Sequence, residues 1–172
     1  VKYFIRNTGS VDLVIDSQAI KMTEASIDGI VMTDVLHHIP DCSQFFHEAS
    51  RVIRKEGKLV MIEPWNTSWA RWIYMHLHHE PFEPEAQEWK IKTTGPLSGA
   101  NGALPWIIFQ RDLTLFESRF PQLRVVNITP IMPVSFLFSG GMSLRSLLPG
   151  WMYRPVRLFE QIFKEEQWAM FA

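Results

Sequence analysis

Two histidines in succession, His37 and His38, close the stretch TDVLHH a few residues after the acidic Asp34. Imidazole is the side chain whose ordinary pKa lies nearest neutrality, so either ring can take the proton of an acceptor hydroxyl, and His37 is the first choice. Acidic residues also close three short β-branched or aliphatic runs: Asp16 after VDLVI, Asp34 after IDGIVMT and Glu63 after KLVMI. Open α/β sheets bind ligands beyond the carboxyl ends of their strands, where Asp16, Thr33, Asp34 and Glu63 would then gather. A structural reading stands beside this one. Strand-end carboxylates also cap helices and solvate loops, one histidine of such a pair can simply pack and cap, and Glu63 can pair with a base such as Arg71.

A second histidine cluster, HLHHE, places His76 and Glu80 four residues apart, a spacing that suits metal ligands on a helix, with His78 and His79 between them. The order is not HExxH, and PFEP follows at once, so the cluster is read as a polar, partly exposed helix end with no metal assigned. A metal-dependent hydrolase built on these residues is kept as an alternative. Cys42, the single cysteine, allows no internal disulfide and no cysteine zinc cluster, which suits a reducing, cytoplasmic setting.

The elements that must position these groups follow from periodicity. Residues 11–16 and 27–34 read as buried parallel strands. Phe45, Phe46, Ala49, Val52 and Ile53 recur at helical spacing, with a cap in the region of Asp41 to Ser43. Gly57 stops that helix, and residues 59–62 form a third buried strand. Strand, connection, strand, helix, turn and strand make an α/β domain with a parallel sheet, because parallel neighbours need long crossovers. Residues 65–105 hold a helix around 69–76 and then a proline- and glycine-rich stretch, PLSGANGALP, which reads as a loop or lid rather than core. A helix over 110–120, a strand over 123–129, a mixed segment around 136–148 and a helix over 154–164 complete the chain.

In order, the block from Asp16 to Pro64 carries SID (residues 26–28), VLHHIPD (35–41), EASRV (48–52) and RKEGKLVMIEP (54–64). This resembles the central segment of class I S-adenosylmethionine-dependent methyltransferases of the ubiquinone/menaquinone-biosynthesis type. In that family an acidic residue ends the third strand, Ser-Phe-Asp opens the fourth, Leu-His-His follows it, and a Lys-Pro-Gly-Gly turn precedes a strand ending in Glu-Pro. The resemblance implies a Rossmann-like α/β sheet with helices on both faces. It implies S-adenosyl-L-methionine as cofactor, with Asp16 and Ser17 at the adenine and Thr33, Asp34 and Leu36 along the methionine portion. His37 and His38 become the catalytic candidates, and Glu63, Trp65 and His79 the acceptor-side residues. The family's first strand and glycine loop have no counterpart ahead of the block, so the domain is expected to be N-terminally incomplete, a single partial domain over residues 1–172.

Composition bounds the partners. With 47% apolar and 20% charged residues, the 172-residue chain can bury one core. Its 17 basic and 18 acidic residues leave a net charge of -1 and no basic tract, which argues against nucleic acid. No apolar run is long enough to span a membrane. Seven tryptophans and twelve phenylalanines, concentrated after residue 64, suit a small apolar or lipid-linked acceptor. The stretch LLPGWMYRPVRLFEQIF, with Arg145, Arg154 and Arg157, allows peripheral membrane contact. An exposed strand edge would favour a homo-oligomer, and a non-catalytic interaction module is the alternative function.

Overall fold

The computed structural model describes residues 13–93, 98–140 and 149–172. Its centre is a parallel pair of strands, β1 (Ile27–Thr33) and β2 (Ile53–Ile62), joined by the helix α1 (Cys42–Val52). Alternation sets the faces. Met32 is buried and Ile30, Leu59 and Met61 are half-buried against the helices, while on the opposite face Val31 is 79% exposed and Val60 is also exposed. Among the described residues, helices therefore cover one face of the sheet and not both.

Helix α1 forms where the spacing of apolar residues predicts it. Cys42, Phe45, Phe46, Ala49 and Val52 are buried on one stripe, and the Asp41 carboxylate caps the start by accepting from the Gln44 N–H at 3.1 Å. The helix ends at Val52, and β2 begins at the next residue, before the expected stop at Gly57. The ladder pairs Ile27 with Ile53, then resumes at Gly29 with Lys58 and runs to Thr33 with Ile62. The extra β2 residues bulge out, with Glu56 at a positive φ of 72°. Gly29 is needed for this close pairing, since a Cβ there would lie 2.6 Å from the Lys58 carbonyl oxygen.

Two expected strands are not formed among the described residues. Residues 13–16 pair with no strand among the described residues, and Val11 and Asp12 lie outside them. Leu13, Val14 and Ile15 are exposed. A β-branched run becomes a strand only beside a backbone that accepts its hydrogen bonds, and the chain here turns instead toward α1. Glu48 accepts from the Ile20 N–H, and Arg51 donates to the Ile20 and Met22 carbonyls. Residues 123–129 also stay unpaired, with Val126 84% exposed.

Just past the end of β2, residues 63–65 pair with the final residues. Glu63 and Ala172 exchange two backbone hydrogen bonds of 3.0 Å, Trp65 donates to Met170, and Ile131 flanks Phe171 on the other side. Helix α2 (Ser68–Leu77) is capped by Thr67, whose hydroxyl accepts from Ala70 and donates to the Ala169 carbonyl.

The segment over 65–105 is irregular after α2 but is not a detached lid. Phe82, Trp89, Ala103 and Leu104 are buried in the same core as Phe46. The helical turn α3 (Leu104–Trp106) passes into a π turn (Ile107–Arg111) and α4 (Leu113–Arg119), so the helix expected over 110–120 is shorter and starts after a break. Short helices α5 (Ser135–Phe138), α6 (Tyr153–Glu160) and α7 (Glu165–Trp168) finish the chain. Residues 141–148 of the mixed segment, including Arg145, lie outside the described residues. No helix among the described residues is long and apolar enough to cross a membrane.

Candidate functional site

Beyond Thr33 the chain makes a tight corner: Asp34 takes a left-handed φ of 53°, and its N–H still reaches the Ile62 carbonyl at 3.0 Å. Asp tolerates that conformation better than most residues. A single 3-10 turn, Leu36–His38, follows and presents both histidines at the carboxyl ends of β1 and β2.

Glu63, the first residue after β2, holds this turn from beneath. It is 2% exposed, and its Oε1 accepts from the Val35 and Leu36 N–H groups at 2.9 Å each. Its Oε2 lies 2.8 Å from His37 Nδ1. An ionised carboxylate only accepts, so Nδ1 carries the hydrogen and Nε2 faces the other way. There it meets Glu80 Oε2 at 3.5 Å, while His38 Nε2 lies 3.6 Å from Glu80 Oε1. His38 Nδ1 is 3.3 Å from the Gly99 carbonyl oxygen. His78 Nδ1 and His79 Nε2 stand 3.9 and 3.7 Å from the same Glu80 carboxylate.

A buried asparagine fixes the loop that carries Glu80. Asn101 Oδ1 accepts from the Glu83 and Ala103 N–H groups, its Nδ2 donates to the Glu83 carbonyl, and its own N–H donates to the His37 carbonyl at 2.9 Å. Glu80 is thereby tied to the histidine turn through backbone as well as side chains.

These groups surround a cavity of ≈ 200 Å³ lined on its polar side by Asp34, His37, His38, His78, His79 and Glu80. Pro64, Tyr74, Phe82, Phe136 and Phe171 supply an apolar wall. The electrostatics follow from the crowding. Burial on its own would lower the His37 pKa, but hydrogen bonds to Glu63 and Glu80 outweigh it and raise the value to about 9. The His37 hydrogen bond in turn lowers Glu80 to about 2. Asp34 is held above its ordinary value, first by withdrawal from water, although part of the residue still reaches solvent. Burial lowers His78 and raises the Tyr74 hydroxyl, which donates to the Met170 carbonyl.

Of the residues singled out in the sequence, Asp34, His37, His38 and His79 line the cavity. Thr33 is exposed at the end of β1, next to Asp34. Leu36 and Trp65 are buried in the core and Glu63 lies under the histidine turn, and none of the three is among the residues that line the cavity. Arg71 pairs with Glu85 and not with Glu63. Asp16 accepts from the Gln18 N–H at 2.9 Å in a local turn, with Ser17 inside it, and neither residue lines the cavity. Helix α2 ends at Leu77, so His76 and Glu80 do not share a helix, and His76 instead stacks on Trp72.

Sequence reasoning missed the role of Glu80 with the first histidine pair, because the two meet only in the folded chain. It also missed Asn101, whose one signal is a polar side chain between two glycines of an otherwise apolar turn.

For the S-adenosylmethionine that the sequence resemblance implies, the described residues fit in part. They build a polar corner and an apolar wall at the strand ends. They do not build the adenine side around Asp16, and ≈ 200 Å³ is below the roughly 300–1,000 Å³ usual for small-molecule pockets.

Residues 3–61 match the family model described as a methyltransferase domain. That span contains β1, the histidine turn, α1 and nearly all of β2. A search of curated proteins gives no match. Among solved structures, the chain is similar to a protein from Anabaena variabilis ATCC 29413, designated as a proposed methyltransferase from an antibiotic biosynthesis pathway. The identity is 14% and the TM-score 0.45, over 87% of this chain and 61% of that one. The chain thus spans about three-fifths of that protein's length, and a likeness at this level settles neither fold nor activity.

Proposed function

We propose that this chain carries the strand-end half of an S-adenosylmethionine-dependent methyltransferase of the ubiquinone/menaquinone-biosynthesis type. Its acceptor would be a small molecule with an apolar face and an ionisable hydroxyl or amine. One observation carries the reading: the span matching a methyltransferase domain, residues 3–61, contains the two strands and the histidine turn at whose ends the mixed polar and apolar cavity opens.

S-adenosylmethionine would supply a methyl group already activated by its positive sulfur. The chain's own part is to align a nucleophile, shed water and receive a proton, with effective molarities on the order of 10⁵ M or more available from alignment alone. The wall of Tyr74, Phe82, Phe136 and Phe171 suits an apolar acceptor face. A pKa of about 9 keeps His37 protonated at neutral pH, so it orients and balances the carboxylates, and His38 is left as the base of the pair. The test is calorimetry on the full-length gene product. Stoichiometric binding of S-adenosylmethionine or S-adenosylhomocysteine is expected, and absence of both ends this reading.

A further inference from the structure

We propose that His37, His38 and Glu80 form a binding site for one divalent transition-metal ion of the zinc class, at the mouth of the cavity. The site stands on donor geometry and is independent of whether the protein transfers methyl groups.

Three donor atoms, one from each residue, lie within 4.8 Å of one another. His37 Nε2 and His38 Nε2 lie 3.5 and 3.6 Å from different oxygens of Glu80, Oε2 and Oε1, each separation near the value a tetrahedral ion imposes on a pair of its ligands. That value is about 3.3–3.4 Å for metal–ligand bonds of about 2.0–2.1 Å. Glu80 sits on a loop and keeps a quarter of its side chain in solvent, which leaves its carboxylate room to bring one oxygen to an ion between the two rings.

A second observation concerns what stands behind the histidines. Metal-bound imidazoles donate their remote N–H to a carboxylate or backbone carbonyl, which fixes the ring and leaves the other nitrogen for the ion. Both rings are arranged in this way. His37 Nδ1 is backed at 2.8 Å by Glu63, itself locked by two backbone N–H groups, and His38 Nδ1 faces the Gly99 carbonyl at 3.3 Å. Both Nε2 atoms therefore turn toward one carboxylate.

Two imidazoles and a carboxylate are the donor set of catalytic zinc sites, with a fourth position left open. His37, His38 and Glu80 line the cavity together with Asp34 and Tyr74, so an ion held by them would border it. The ion would also balance the carboxylates of Glu63, Glu80 and Asp34; with it bound, His38 Nε2 is a ligand, so the base role of His38 belongs to the ion-free protein.

The experiment titrates chelator-stripped full-length protein with Zn²⁺ by calorimetry and records the visible spectrum after Co²⁺ loading. Expected are one Zn²⁺ per chain and the d–d bands of a four- or five-coordinate Co²⁺ site. Glu80→Gln and His38→Ala, at partly exposed positions, should weaken binding at least tenfold without loss of the far-ultraviolet circular dichroism signal. Glu63→Gln should weaken it by roughly 10–100-fold through ring orientation alone. His76→Ala, on the far side of Trp72, should leave affinity unchanged. No stoichiometric Zn²⁺ in the parent protein, or Glu80→Gln and His38→Ala variants that bind like the parent, would overturn the site.

Discussion

Glu63 uses both carboxylate oxygens inside the protein, one on two backbone N–H groups and the other on His37. Hydrogen bonds to a buried charge contribute more than neutral ones, and leaving a buried partner unmatched costs further. Glu63→Ala is therefore expected to lower unfolding free energy by about 3–5 kcal/mol in urea titrations, and Glu63→Gln by less, since the amide oxygen still accepts. His38 has a different part. If the protein transfers methyl groups as proposed, His38→Ala, with its ring in the cavity wall, should reduce kcat/KM by about 10²–10⁴-fold, the usual contribution of a positioned acid or base, while changing stability little. An unchanged rate would remove His38 from the chemistry. The histidine pair was legible in the sequence because it belongs to a continuous motif between two strands. Glu80 was not, because it lies far along the chain from His38 and is returned there by tertiary contacts, the Asn101 hydrogen bonds and the bond from Gly102 N–H to the Pro81 carbonyl among them.

At the scale of elements, α1 and α2 follow the periods written in the sequence, each with its own buried stripe, whereas β1 and β2 form on the aliphatic runs but are half-buried or exposed apart from Met32. The runs at 13–16 and 123–129 carry the same β-branched signal and form no strand, since a strand depends on a neighbour's backbone that no local pattern specifies. The final residues, MFA, form isolated bridges with Pro64 and Ile131 rather than a strand. The junction between the 78–103 segment and α4 makes a separate prediction. Asp112, just before α4, accepts from Trp89 Nε1 at 2.9 Å and is bound by Arg111, which also reaches the Pro84 carbonyl. The Arg111 hydrogen bond, ahead of the Trp89 one, holds the Asp112 pKa below its ordinary value. A depressed carboxyl contributes stability above its unfolded pKa of roughly 3.9, and that contribution is lost as pH falls through the lower folded value. Asp112→Asn should accordingly unfold at a higher pH than the parent in acid titrations followed by tryptophan fluorescence. The two curves should converge below the folded pKa.

For the whole molecule, the last residues of the chain connect the sheet to the cavity. Met170 and Phe171 lie between Glu63–Trp65 on one side and Ile131 on the other. Thr67 and Tyr74 from the α2 region donate to the carbonyls of Ala169 and Met170. Phe171 is buried, packs edge-on against Phe136 with ring centroids 4.6 Å apart, and forms part of the apolar wall. One side chain thus serves both stability and acceptor fit, and two substitutions separate the roles. Phe171→Ala removes a buried ring beside a β ladder and should cost about 3–5 kcal/mol, read from the urea midpoint. Phe171→Leu keeps most of the volume and should cost less than half of that while opening space next to Phe136. If the wall selects the acceptor, the Leu variant should raise kcat/KM for acceptors bulkier on their apolar face relative to smaller ones, with the affinity for S-adenosylhomocysteine unaltered. An unchanged acceptor ratio, in a variant as stable as expected, would place the acceptor elsewhere and leave Phe171 as core alone.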